Sequence, residues 1–243
     1  MIPLHDDIPS RRRPIVTWLL IVANILAFTY ELTLGPGALE TFFYTWAVIP
    51  LDITVAWRSL LGGQFDPGAF VPVFTAMFLH GGWLHIGSNM LYLWIFGDNV
   101  EDRMGHLGFL VFYLLAGVAA TALQVGLNPE SSVPNLGASG AIAGVLGAYL
   151  LLYPDARVLT LVFLGFFLTT LRISALWLLG IWFALQAVRG FAEIGAAADG
   201  GGVAWWAHVG GFVVGMIVGG ILRLLTPKRR RNRYADRWYS DRW

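Results

Sequence analysis

Apolar residues in this chain run on in long, nearly unbroken stretches instead of alternating or keeping to one face, as they do in soluble elements. A helix needs about 20 apolar residues to cross a hydrocarbon core, and six stretches have that character: 15–34, 84–103, 107–127, 137–153, 173–192 and 203–225. They predict an all-α membrane protein, a six-transmembrane-helix bundle spanning 15–225. A cytoplasmic N-terminal segment, 1–14, precedes the bundle, and a basic tail, 226–243, follows it. The tail has no apolar periodicity and is expected to be poorly ordered and to touch anionic lipid. Segment 158–171 is apolar but too short to cross, so a re-entrant or interfacial placement beside the fifth helix is expected. Segment 35–83 is too long for a simple turn. Its Phe42, Phe43, Tyr44, Trp46, Trp57, Phe70 and Phe74 suit the membrane interface.

Composition agrees: 57% of residues are hydrophobic and 13% charged, and the mean hydropathy is +0.65. An ordinary soluble domain is excluded. The net charge of +1 conceals two basic clusters, Arg11–Arg13 and Lys228–Arg231, which bear on orientation and do not point to nucleic acid. Six crossings put both termini on one side, and both clusters then place that side in the cytoplasm. Arg103, Arg157 and Arg172 fall in inner connections; Glu40, Asp52, Asp66, Glu130 and Asp199 fall outside, with Arg58 the exception. The first run follows three arginines like a signal peptide, yet Asn24 interrupts it and five more runs follow, so it is read as an uncleaved span. Cysteine is absent, which rules out disulfides, thiolate metal sites and a cysteine nucleophile.

In this topology the second, fourth and sixth spans begin on the outside, and each carries unusual polar residues in its first turns: His85 and Asn89, Ser139, and His208. Such groups are costly in hydrocarbon unless partnered, so they mark function. His85 and Asn89, four apart, share a helix face. Serine needs a base to act as a nucleophile at neutral pH, and histidine is the usual one. The Asn89 amide, the His85 imidazole and the Ser139 backbone N–H are candidate donors to a developing oxyanion. Gly137 and Gly140 flank the serine and allow close approach of a substrate backbone. Gly211 and Gly215, with Gly210, Gly219 and Gly220, give the sixth span a small-residue face. No carboxylate occupies these helix starts, so a Ser-His dyad is read. His80, His85 and His208 do not make a metal site: no carboxylate joins them, and the five-residue gap does not align two ligands. His80 is expected to hydrogen-bond within the long outer loop, and Glu101 and Arg103 to form a structural cluster at the inner end.

These motifs resemble those of the rhomboid family of intramembrane serine proteases. The resemblance rests on Gly137-Ala138-Ser139-Gly140, His85-Ile86-Gly87-Ser88-Asn89, Ala207-His208 with Gly211 and Gly215, and Glu101-Asp102-Arg103-Met104-Gly105, and it covers roughly 15–225. It implies Ser139 as nucleophile and His208 as general base, with His85 and Asn89 at the oxyanion. The implied substrates are transmembrane proteins cut near the outer ends of their spans, and the loop 193–202 would act as a cap. Some relatives place an aromatic residue four positions after the serine to stack on the histidine; Ala143 stands there, so the resemblance supplies nothing to orient His208.

No cofactor or metal is implied, because serine hydrolysis needs only water. The expected partners are transmembrane substrates and membrane lipids, and the expected location is a prokaryotic cell membrane. The competing class is a non-catalytic membrane client-binding protein or transporter using the same polar cavity.

Overall fold

The computed structural model describes residues 1–165, 167–193 and 203–225. The segments expected to form a cap, 193–202, and a basic tail, 226–243, lie almost wholly outside them. In chain order the elements are β1 (Ile2–Asp6), α1 (Ile15–Glu31), α2 (Pro36–Trp46), α3 (Pro50–Leu61), α4 (Pro72–Thr75), α5 (Trp83–Met104) and α6 (His106–Leu127). There follow α7 (Ser139–Leu152), β2 (Arg157–Leu164), β3 (Phe167–Ser174), α8 (Ala175–Glu193) and α9 (Trp205–Leu225). A long helix therefore occupies each of the six apolar runs. Segment 35–83 is largely helical. Proline opens each of α2, α3 and α4, where its missing N–H costs nothing. Tyr44, Trp46, Trp57 and Phe74 of this segment are exposed, as an interfacial surface requires.

Six helices are not six crossing lengths. By length and composition α6, α8 and α9 are long and apolar enough to span, and a fourth span results only if 67–78 and α5, bent by 82°, are taken together. Helix α1 has 17 residues, and α7 has 14, or about 21 Å of rise. The shortness of α7 has a physical reason: Gly140 to Leu150 are all buried. A helix that is apolar on every side sits inside a bundle and need not match the bilayer.

The seam between α7 and α9 is built from absent side chains. A Cβ on Gly211 would stand 2.0 Å from the carbonyl oxygen of Gly140, one on Gly215 1.9 Å from that of Gly144, and one on Gly147 2.1 Å from that of Phe212. On the other side of α7, Cβ atoms on Gly140 and Gly144 would press within 2.7 and 2.5 Å of the Ala120 and Ala116 methyls of α6. Lipid tails are as apolar as the helix surfaces, so close packing of this kind is a main drive for helix association in a bilayer. Outward residues such as Leu26, Leu115, Val188 and Ile217 remain exposed, a surface suited to hydrocarbon.

Between α5 and α6 a single residue turns the chain. Gly105 has φ +76°, a left-handed conformation that side chains disfavour. Its N–H bonds the Glu101 carbonyl at 2.7 Å, and its carbonyl accepts from Phe109 at 2.9 Å, closing one helix and opening the next.

The expected all-α architecture needs one amendment. Segment 158–171 is most of an antiparallel hairpin, with Arg157 opposite Ser174 and Leu164 opposite Phe167, and β1 adds to its free edge with Ile2 opposite Leu161. The run is too short to span and rich in β-branched and aromatic residues, with Gly165 at φ +62° supplying the turn; these are strand signals. Addition of β1 draws the N-terminal segment against the bundle, where Asp6 accepts from the Tyr149 hydroxyl of α7 and from Asn99 Nδ2 of α5 at 3.1 Å.

Helix α1 begins after Pro14 without a cap of its own. Buried Glu101 of α5 supplies one: its carboxylate accepts from the N–H groups of Val16 (2.9 Å) and Thr17 (2.8 Å) and from the Thr17 hydroxyl (2.7 Å). A negative charge at a helix N-terminus also meets the positive end of its dipole.

Candidate active site

At the end of the bundle opposite Glu101, the first turns of α5, α7 and α9 surround a cavity of about 620 Å³ lined in part by His85, Asn89, Ser139, Trp182, Gln186 and His208. Ser139 is the first residue of α7, so its N–H lies in the turn whose donors have no partner along the helix. The chain enters this turn through Gly137, whose φ of +124° suits only glycine. Its N–H is held by the Ala76 carbonyl at 2.8 Å. Four residues into α9, His208 is buried, and its Nε2 lies 2.8 Å from Ser139 Oγ. The glycine seam brings the two residues together: helices with Cβ atoms at 211 and 215 could not approach so closely.

The other ring nitrogen, Nδ1, lies 2.8 Å from Oε1 of buried Gln186 on α8. A carbonyl oxygen only accepts, so the proton resides on Nδ1 and the Nε2 lone pair faces the serine. The Trp182 ring, one turn earlier on α8, lies 5.7 Å from the imidazole at 37°. The aromatic neighbour missing at Ala143 is thus provided by a different helix. Neither Gln186 nor Trp182 was singled out in the sequence, although Gln186 is the sole amide in the run 173–192 and Trp182 lies four residues before it.

His85 projects over Gly137, where a Cβ would come within 2.6 Å of its Nε2. The Gly81 N–H donates to His85 Nδ1 at 3.4 Å, which leaves Nε2 as the protonated, donating nitrogen. Buried Asn89 donates from Nδ2 to His80 Nε2 at 2.9 Å and keeps a second N–H. His80 therefore bonds to α5 and not within the outer loop as expected. Its own N–H is held by the Glu31 carboxylate at the end of α1, 3.2 Å away. Among the described residues no group of His, Asp and Glu is arranged to hold a metal ion.

A helical bundle with an apolar exterior, carrying a hydrogen-bonded serine and histidine in a cavity between its helix ends, defines an integral membrane protein. A family model described as "Rhomboid domain" matches residues 67–224, and the chain belongs to the rhomboid family. It is similar to Rhomboid protein 1, mitochondrial, of Saccharomyces cerevisiae, 29% identical over 175 residues covering 70% of this chain and 47% of that protein. It also resembles the rhomboid protease GluP of Bacillus subtilis, 30% identical over 188 residues, or 77% of this chain and 34% of the relative. The human presenilin-associated rhomboid-like protein, mitochondrial, is 36% identical over 130 residues, 53% of this chain and 34% of that one. The chain thus spans less than half the length of each of these relatives.

Proposed function

We propose that this protein is an intramembrane serine endopeptidase that cleaves transmembrane protein substrates near the outer membrane face. The observation that carries the reading is the 2.8 Å contact between Ser139 Oγ and His208 Nε2 inside a cavity of the bundle. His208 takes the hydroxyl proton as Ser139 Oγ adds to the scissile carbonyl. The oxyanion that forms is met by the His85 Nε2–H, the Asn89 amide and the Ser139 backbone N–H. His208 then gives its proton to the leaving amine, producing an acyl-enzyme, and water admitted from the outside reverses the sequence to release the carboxylate. Gly137, with no side chain, leaves room for the His85 imidazole beside the serine. Six passes through a cell membrane, with both termini cytoplasmic, complete the proposal; the arginine distribution and the opposed ends of the bundle support it.

Labelling of the detergent-purified protein with a fluorophosphonate probe tests the reading, with the adduct located by mass spectrometry. Modification of Ser139 that is lost in His208→Ala is expected. An unlabelled, folded protein, in a detergent where a control serine protease reacts, would overturn the catalytic reading in favour of client binding or transport.

A further inference from the structure

We infer that Gln186 is a positioning residue for His208, the third member of a Ser139–His208–Gln186 relay in which an amide on α8 does the work of the carboxylate in a hydrolase triad. The inference rests on the proposed protease chemistry and deepens it. A dyad alone leaves the imidazole two problems: which nitrogen carries the proton, and what stops the ring from rotating away from the serine. Oε1 of Gln186 at 2.8 Å from Nδ1 answers the first, because an acceptor there selects the Nδ1–H tautomer. The second is answered jointly by that bond and by the Trp182 ring 5.7 Å away.

The placement of Gln186 follows from the face it occupies. Leu179, Gln186 and Gly190 are buried along one side of α8, while Ile181, Leu185 and Val188 are exposed on the other. A Cβ on Gly190 would come within 3.0 Å of the Trp206 ring, so the absence of a side chain there lets α8 lie close to α9. Phe183 stacks on Phe212 at 4.6 Å and fixes the same pair of helices one residue after Trp182. An amide on the inward face of an otherwise apolar helix is costly unless bonded, and its bond goes to the one histidine that touches the serine. Because glutamine is neutral, it can orient the ring and accept from the imidazolium without placing a full negative charge in the bundle.

Two variants and one spectrum test this. Gln186→Leu keeps the approximate volume and removes the acceptor. It should lower kcat by roughly 10- to 100-fold with KM nearly unchanged. Gln186→Glu restores an oxygen acceptor and should recover most of kcat. Its added charge favours the imidazolium, so the acid limb of the kcat/KM profile should move to higher pH. Packing alone would predict a changed melting temperature, no recovery by glutamate and no displacement of the pH profile. A Leu variant with wild-type kcat and pH profile overturns the inference. Independently of activity, 15N spectra of histidine-labelled protein, with His208 assigned through His208→Ala, should show the Nδ1–H tautomer in the wild type and a mixture in Gln186→Leu. An Nε2–H tautomer in the wild type overturns the role of Gln186. Failure of the protease reading is separately recognisable as absent turnover and absent labelling at Ser139, with the tautomer measurement still deciding the inference.

Discussion

The two ends of helix α7 carry polar groups in opposite circumstances. At its start Ser139, half-buried, borders the cavity and shares a bond with His208, while neighbouring donors on His85 and Asn89 keep capacity to spare. At its far end the Tyr149 hydroxyl is fully buried and given to Asp6, and buried Glu101 of α5 is bonded both by the first turn of α1 and by His106 Nδ1. Both ends hold residues that hydrocarbon would reject. A polar group whose bonds are used up by the fold is a fastening, whereas one that faces a cavity with unused donors can bond to something that comes and goes.

Substitutions at the two ends of α7 should have different consequences. Ser139→Ala should abolish turnover, a loss on the order of 10³-fold or more, with little change in melting temperature, because it removes a single oxygen that borders the cavity. Asn89→Ala should reduce kcat by about 10²-fold or more, as loss of an oxyanion donor does; it also strips His80 of its partner, so a modest fall in thermal stability should accompany it. In the seam that joins the two ends, Gly215→Val drives side-chain atoms into the Gly144 carbonyl. Its cost should reach about 3 kcal/mol or more, read as a large drop in melting temperature together with lost labelling of Ser139 as His208 moves away.

At the sealed end Glu101→Ala should cost about 1–3 kcal/mol by orphaning two amide donors and a hydroxyl, while activity per folded molecule persists. The smallest effect is a pH dependence of stability. Burial holds the Asp6 carboxyl well above its ordinary range, from 3.8 to about 7, against the opposing Tyr149 hydrogen bond. The folded protein therefore binds the Asp6 proton more tightly than the unfolded chain does. The stabilisation is fully present below about pH 4 and is lost as pH rises through about 7. Asp6→Asn should flatten that slope in melting curves taken across this window.

How much of this was legible in the sequence differs between the elements. The six apolar runs predicted α1 and α5 through α9 to within a few residues, since twenty apolar positions in a row have few other stable arrangements. Ser139, His208, His85 and Asn89 stood out because hydroxyl, imidazole and amide groups are conspicuous in such runs, and the structure brings all four to one cavity. The hairpin is hidden in the sequence because an unbroken apolar run such as 158–171 suits a short membrane segment as well as a pair of strands. Gln186 was missed because nothing in linear order relates it to a histidine 22 positions later.

From the amino-acid order alone come the membrane character of the chain, the glycine faces of its helices, and the polar residues at the starts of three apolar runs. These are properties of composition and one-dimensional spacing, and transfer energies alone enforce them. The packed fold adds which helix orients His208, which nitrogen bears its proton, that Glu101 of α5 caps α1, and that an N-terminal strand joins the hairpin. Each of these depends on a hydrogen bond between residues remote in sequence. Such bonds are selected by how the elements pack against one another, and no local pattern encodes that geometry.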